Sequence, residues 1–92
     1  MIRILIVEDD ENISKMLAAT LSIGDYEYDR CADGEEAVQT IINGTYDLIL
    51  LDVMLPGMDG FAVLEHIRGE SCETPVIFLT ASGDEYSVVN GF

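Results

Sequence analysis

Short apolar runs alternate along the chain with stretches whose apolar residues recur at helical spacing. Ile2, Ile4, Leu5, Ile6 and Val7 make a nearly continuous apolar strand, the pattern expected when both faces are covered. Ile13, Met16, Leu17 and Leu21 then share one side of a helix, and Gly24 sits where its C-terminal cap belongs. Tyr26 to Cys31 reads as a weaker, more polar strand. Asp33 has the place of an N-cap for a helix carrying Ala37, Val38, Ile41 and Ile42, closed by Asn43-Gly44. Tyr46 to Leu51 is a third strand that ends on Asp52. Asp59 caps a helix through Phe61, Val63, Leu64 and Ile67 that stops near Gly69. Pro75 introduces a fourth strand, Val76 to Thr80, and Asp84 to Phe92 reads as the start of a last helix with Val88, Val89 and Phe92 on one side.

Strands alternating with helices over short connections specify a parallel α/β sheet with right-handed crossovers. Ligands of such sheets bind beyond the carboxyl ends of the strands. That rule selects Glu8, Asp9 and Asp10 after the first strand, Asp52 at the end of the third and Thr80 at the end of the fourth, all at one edge of the sheet.

Composition narrows the reading. At 92 residues this is one small domain, and 49% hydrophobic content supplies a core and argues against disorder. No apolar run approaches the roughly 20 residues of a membrane span. The opening MIRILIVEDD is too short and too acidic for a secretion signal. A cytoplasmic location is the expectation. Eighteen acidic residues against four basic ones give −14, a field that repels phosphate backbones and anionic lipid. Neither nucleic acid nor membrane is therefore an expected partner. Cys31 and Cys72 are far apart, with no CxxC and a single histidine, so buried or idle thiols are expected rather than a metal site or a disulfide.

The same acidity makes cations attractive. Glu8, Asp9 and Asp10 alone read as a solvated turn whose acids cap the first helix. Asp52 changes that balance, because adjacent first and third strands bring its carboxylate beside theirs. Two unit charges ~4 Å apart repel by about 4 kcal/mol at an effective dielectric of 20. Hard carboxylate oxygens, with a carbonyl and waters, suit Mg²⁺. Carboxylate plus Mg²⁺ points to phosphoryl chemistry with Asp52 as nucleophile. Thr80, otherwise an ordinary strand-end threonine, is placed to hydrogen-bond a phosphoryl oxygen.

Hydrolases of the haloacid dehalogenase type resemble this strand end but carry a second Asp two residues after the nucleophile, as general acid–base. Met54 occupies that position, and Val53, Leu55, Pro56 and Gly57 offer no proton chemistry either. The site is built to accept a group rather than to turn it over, which favours a switch over an enzyme. There is no GxGxxG after the first strand and no GxxxxGK[ST]. His66 lacks a partner at helical spacing, and Met54 and Met58 read as loop cover around the Pro-Gly turn.

ILIVEDDENI, DLILLDVMLPGMDGF and PVIFLTAS resemble, in order and spacing, the receiver domain of two-component response regulators. The resemblance covers essentially the whole chain, residues 1–92. It implies a flavodoxin-like doubly wound sheet of order 2-1-3-4-5, of which this chain is expected to carry 2-1-3-4, and phosphoryl transfer from the phosphohistidine of a sensor histidine kinase to Asp52. It also implies Mg²⁺ held by Asp9, Asp52 and the carbonyl of Met54, with Glu8 the other member of the acidic pair. Thr80 would be the switch hydroxyl and Ala81 would supply a backbone N–H.

One departure stands out. Members of the family continue through a fifth strand that begins with a lysine pairing with the phosphoryl group, and through a final helix. The chain is therefore expected to be C-terminally incomplete, with neither that strand nor that helix. Its only lysine, Lys15, belongs to the first helix. Impaired phosphorylation follows, along with self-association through an open fourth-strand edge or exchanged elements. The alternative is a receiver-like interaction module that works without phosphorylation.

Overall fold

The computed structural model describes residues 1–82 and 85–90, with side chains as far as Leu79. Its elements are β1 (Arg3–Val7), α1 (Glu11–Ile23), β2 (Glu27–Cys31), α2 (Gly34–Asn43), β3 (Leu48–Asp52), α3 (Gly60–Gly69), β4 (Val76–Ser82) and β5 (Glu85–Asn90). The sheet order is β2-β1-β3-β4-β5. The four parallel strands stand in the order 2-1-3-4 expected from the sequence.

Local chemistry sets the helix starts. Asp33 accepts from the Glu36 N–H and Asp59 from the Ala62 N–H, each satisfying a donor that has no partner inside its own helix. Gly24 and Gly44 end α1 and α2. From β1 the chain steps to β2 on one side and then crosses back to β3 on the other. Right-handed crossovers in opposite directions place their helices on opposite faces. Leu5, Val7, Ile49, Leu51, Val76 and Phe78 accordingly pack under α2 and α3 with Val38, Ile41, Val63 and Ile67. Ile4 and Ile6 are buried on the other face, where α1 contacts β1 and β2.

Two expectations are corrected. Residues 85–90 are a strand, not a helix: β5 runs antiparallel to β4, with Phe78 opposite Val89 and Leu79 opposite Val88. The open edge of β4 offers a row of unpaired backbone groups, and a segment with two adjacent β-branched valines satisfies them by pairing. Asp84 and Phe92 lie outside the described residues. β5 covers the β4 edge that was expected to lie open. The sheet's other border is β2, where Glu27 and Arg30 are exposed and discourage a further strand. The second correction concerns α1. Ser14 and Ala18 are its buried residues, while Met16 is 51% exposed. Small side chains let the helix lie close to the sheet, so Ile13, Leu17 and Leu21 flank the contact and Met16 falls outside it.

Distant parts of the chain meet at Asp29. It accepts from the Arg3 guanidinium at 2.8 Å and from the Tyr46 hydroxyl at 2.7 Å, while the guanidinium lies 5.3 Å from the Tyr46 ring centroid. The two donors hold the Asp29 carboxyl below the usual carboxylate range. Burial and the adjacent carboxylate push the Tyr46 phenol up to about 12.

Candidate metal centre

The chain reverses its lateral direction at β1, so β1 and β3 end side by side at a topological switch point. Glu8 continues past β1, its N–H donating to the Cys31 carbonyl at 3.0 Å, and its side chain is only 6% exposed. Asp9 follows, exposed, and Asp52 ends β3 half-buried. Carboxylate oxygens of Glu8, Asp9 and Asp52 all lie within 4.8 Å of one another. Of the residues grouped by sequence reasoning, Glu8, Asp9 and Asp52 thus meet in space. With Asp10, Ile13, Met54 and Leu79 they line a cleft of about 320 Å³.

Three acids this close cannot all remain charged without cost. At 4.8 Å two unit charges repel by about 3.5 kcal/mol at an effective dielectric of 20. Glu8 responds by holding its proton. Burial, then a hydrogen bond and the negative charge of Asp52, push its carboxyl up to about 8. A neutral Glu8 donating to Asp52 is one way to relieve the cluster, and a divalent cation is the other. The donor set fits such an ion: all oxygens, hard, on one side of a cleft open to solvent.

Asp10 has a different job. Its Oδ1 accepts from the N–H groups of Asn12 and Ile13 at 2.9 and 3.2 Å, capping α1. It lines the cleft but lies outside the carboxylate cluster. Met54, 78% exposed, donates its backbone N–H to Asp52 Oδ1 at 3.2 Å, which turns that side chain toward the loop. Thr80 and Ala81 continue β4 beyond Leu79, which borders the cleft, and pair with Ser87 and Tyr86 of β5. The Thr80 side chain lies outside the described part. Lys15 is 3.9 Å from Glu11 on α1 and is not among the residues lining the cleft.

Sequence reasoning did not single out Gly60. Its N–H donates to the Val53 carbonyl at 2.9 Å, and a methyl group there would collide with the Asp52 carbonyl oxygen and come within 2.9 Å of Val53 Cα. Only glycine lets α3 start this close to the residue that carries the acid. The Asp-Gly dipeptide after Pro-Gly-Met was the available signal. His66 is exposed on α3, apart from the cluster. Among the described residues, no helix is long and apolar enough to cross a membrane.

Comparison with known proteins agrees with this geometry. The family model for the response regulator receiver domain matches residues 4–92. The transcriptional regulatory protein DltR of Streptococcus agalactiae is 44% identical over 89 residues, covering 97% of this chain and 40% of that protein. The chain thus spans well under half of the curated relatives it matches. Among solved structures, the receiver domain of the Francisella response regulator 1452 superposes with a TM-score of 0.85 at 30% identity, covering 91% of this chain and 69% of that one. The response regulator TrrA of Thermotoga maritima, solved in complex with Mg²⁺ and BeF, gives 0.84 at 40% identity, covering 90% and 72%.

Proposed function

Because the chain belongs to the response regulator receiver domain family, we propose that Asp52 is a phosphoacceptor that takes its group from the phosphohistidine of a sensor histidine kinase in the cytoplasm. The observation that carries this is the half-buried Asp52, set beside Asp9 and a buried Glu8 at the sheet's switch point, with Met54 rather than an acid two residues after it. An Asp52 oxygen attacks phosphorus, a P–O bond forms, the P–N bond to the donor imidazole breaks, and that nitrogen keeps the electron pair and takes up a proton.

Asp9, Asp52 and the Met54 carbonyl would hold Mg²⁺, which when bound offsets the charge of the phosphoryl oxygens. The protein's own groups do the rest. Glu8, which holds a proton in the metal-free cluster, would release it on cation binding. The Met54 N–H holds Asp52 Oδ1, which leaves the other oxygen for the attack. Thr80 and the Ala81 N–H are proposed to meet the phosphoryl oxygens from β4. The domain is a signalling partner rather than a catalyst with a substrate of its own, since Met54 supplies no general acid–base.

The test is incubation with acetyl phosphate and Mg²⁺, followed by intact-mass analysis of the native protein and of Asp52→Asn. A hydroxylamine-labile gain of one phosphoryl group in the native protein alone supports the reading. No gain over hours, with Mg²⁺ saturating, removes it.

A further inference from the structure

Met54, whose carbonyl the proposed Mg²⁺ site uses, lies on the loop between Asp52 and Asp59, and that loop is held from a second side. At the start of α2, the Gly34 N–H donates to the Pro56 carbonyl at 3.5 Å. A methyl group on Gly34 would overlap the Met58 carbonyl oxygen and come within 2.8 Å of Met58 Cβ and 2.9 Å of its carbonyl carbon. The atoms in the way are mostly backbone, so the loop itself would have to move.

Little slack exists to absorb such a shift. The Met58 N–H donates to the Pro56 carbonyl at 3.0 Å, Gly60 fixes Val53 at 2.9 Å, and Met54 is tied to Asp52 at 3.2 Å. Val53, Leu55 and Met58 also pack against the core. Proline restricts its own φ, which leaves Gly57, at φ 79°, as the one left-handed joint. A push at Met58 therefore passes back along a stiff segment toward Met54.

We infer that Gly34, on the helix after β2, is a positioning residue for the metal site: by admitting the Met58 carbonyl against its Cα, it fixes the loop that presents the Met54 carbonyl to the cation. This rests on the reading of the acidic cluster as a Mg²⁺ site. It makes the start of α2, which contributes no ligand, part of what sets metal affinity. Contacts that hold ligands in place are typically worth about 10- to 100-fold in metal affinity.

The experiment is an amide NMR titration of the whole chain with Mg²⁺, on native protein, Gly34→Ala and Gly69→Ala. Gly69 is a helical glycine with nothing within 4 Å of an added Cβ, and serves as the control. In native protein the Gly34 amide should shift with the same saturation curve as Asp9 and Met54. Gly34→Ala should bind Mg²⁺ about tenfold more weakly while remaining folded, and Gly69→Ala should bind as the native chain does. Native affinity in a folded Gly34→Ala, or a Gly34 amide that stays still while Asp9 and Met54 saturate, overturns the inference and leaves the metal site standing. Should Gly34→Ala not fold, the native titration decides alone. Absence of any Mg²⁺ response in native protein removes the proposed function, and the inference with it.

Discussion

Replacing Glu8 by glutamine isolates the electrostatic cost of the acidic cluster. In the folded chain the Glu8 carboxyl is pushed from 4.5 up to about 8 by burial and by Asp52, so between those values the native state holds a proton that the unfolded chain releases. Stability from this group is fully present below about pH 4.5 and is lost as pH rises through about 8. At roughly 1.4 kcal/mol per pH unit the full span approaches 5 kcal/mol, and the Coulomb repulsion across 4.8 Å gives about 3.5. The cleft is open to water and both side chains relax, so about 2 kcal/mol is the expected fall. Net charge −14 also lowers stability as pH rises, and Glu8→Gln controls for it. Gln keeps the shape and a donor toward Asp52 but cannot ionise. Urea unfolding followed by circular dichroism, in EDTA at pH 5.5, 7 and 8.5, should show native stability dropping about 2 kcal/mol more than that of Glu8→Gln. Added Mg²⁺ should stabilise native protein more at pH 8.5 than at 5.5, since the cation and the Glu8 proton compete. Parallel pH curves for the two proteins would show that Glu8 is charged when folded and would refute the reasoning.

Asp52→Asn removes one of the crowded charges while keeping an oxygen for the Met54 N–H, so metal-free protein at pH 8 should gain about 1–2 kcal/mol in the same unfolding assay. Gly60→Ala forces α3 off the end of β3 and should cost more than about 2 kcal/mol, read as a lower urea midpoint with weaker Mg²⁺ binding. Tyr46→Phe deletes the 2.7 Å bond to Asp29 and should cost about 1–1.5 kcal/mol, visible as a lower Tm with Mg²⁺ affinity unchanged.

Much of the site was legible because it depends on local rules: an apolar strand ending in Asp52, an N-cap at Asp33 and another at Asp59. What escaped depended on distant partners. Val88 and Val89 fit a helical face as well as a strand, and the free edge of β4, not the local pattern, decides for the strand. Met16 carries the spacing of a core residue, but the close approach at Ser14 and Ala18 rotates it to the outside. The bond between Tyr46 and Asp29 joins residues whose contact only the folded sheet defines. Gly34 lies against Met58, 24 residues further along the chain, a contact that only the folded protein defines.

The central place of β1 has a consequence for synthesis. Ile4 to Val7, almost fully buried in the finished sheet, leave the ribosome well before β3, yet Ile4 pairs with Leu48. At roughly 5–20 residues per second, this apolar strand waits several seconds for its inner neighbour. The acids of Glu8-Asp9-Asp10 travel directly behind it throughout that wait. The charges crowded together in the folded protein then act as a guard, keeping the nascent strand dispersed until β3 arrives and Asp52 completes the cluster.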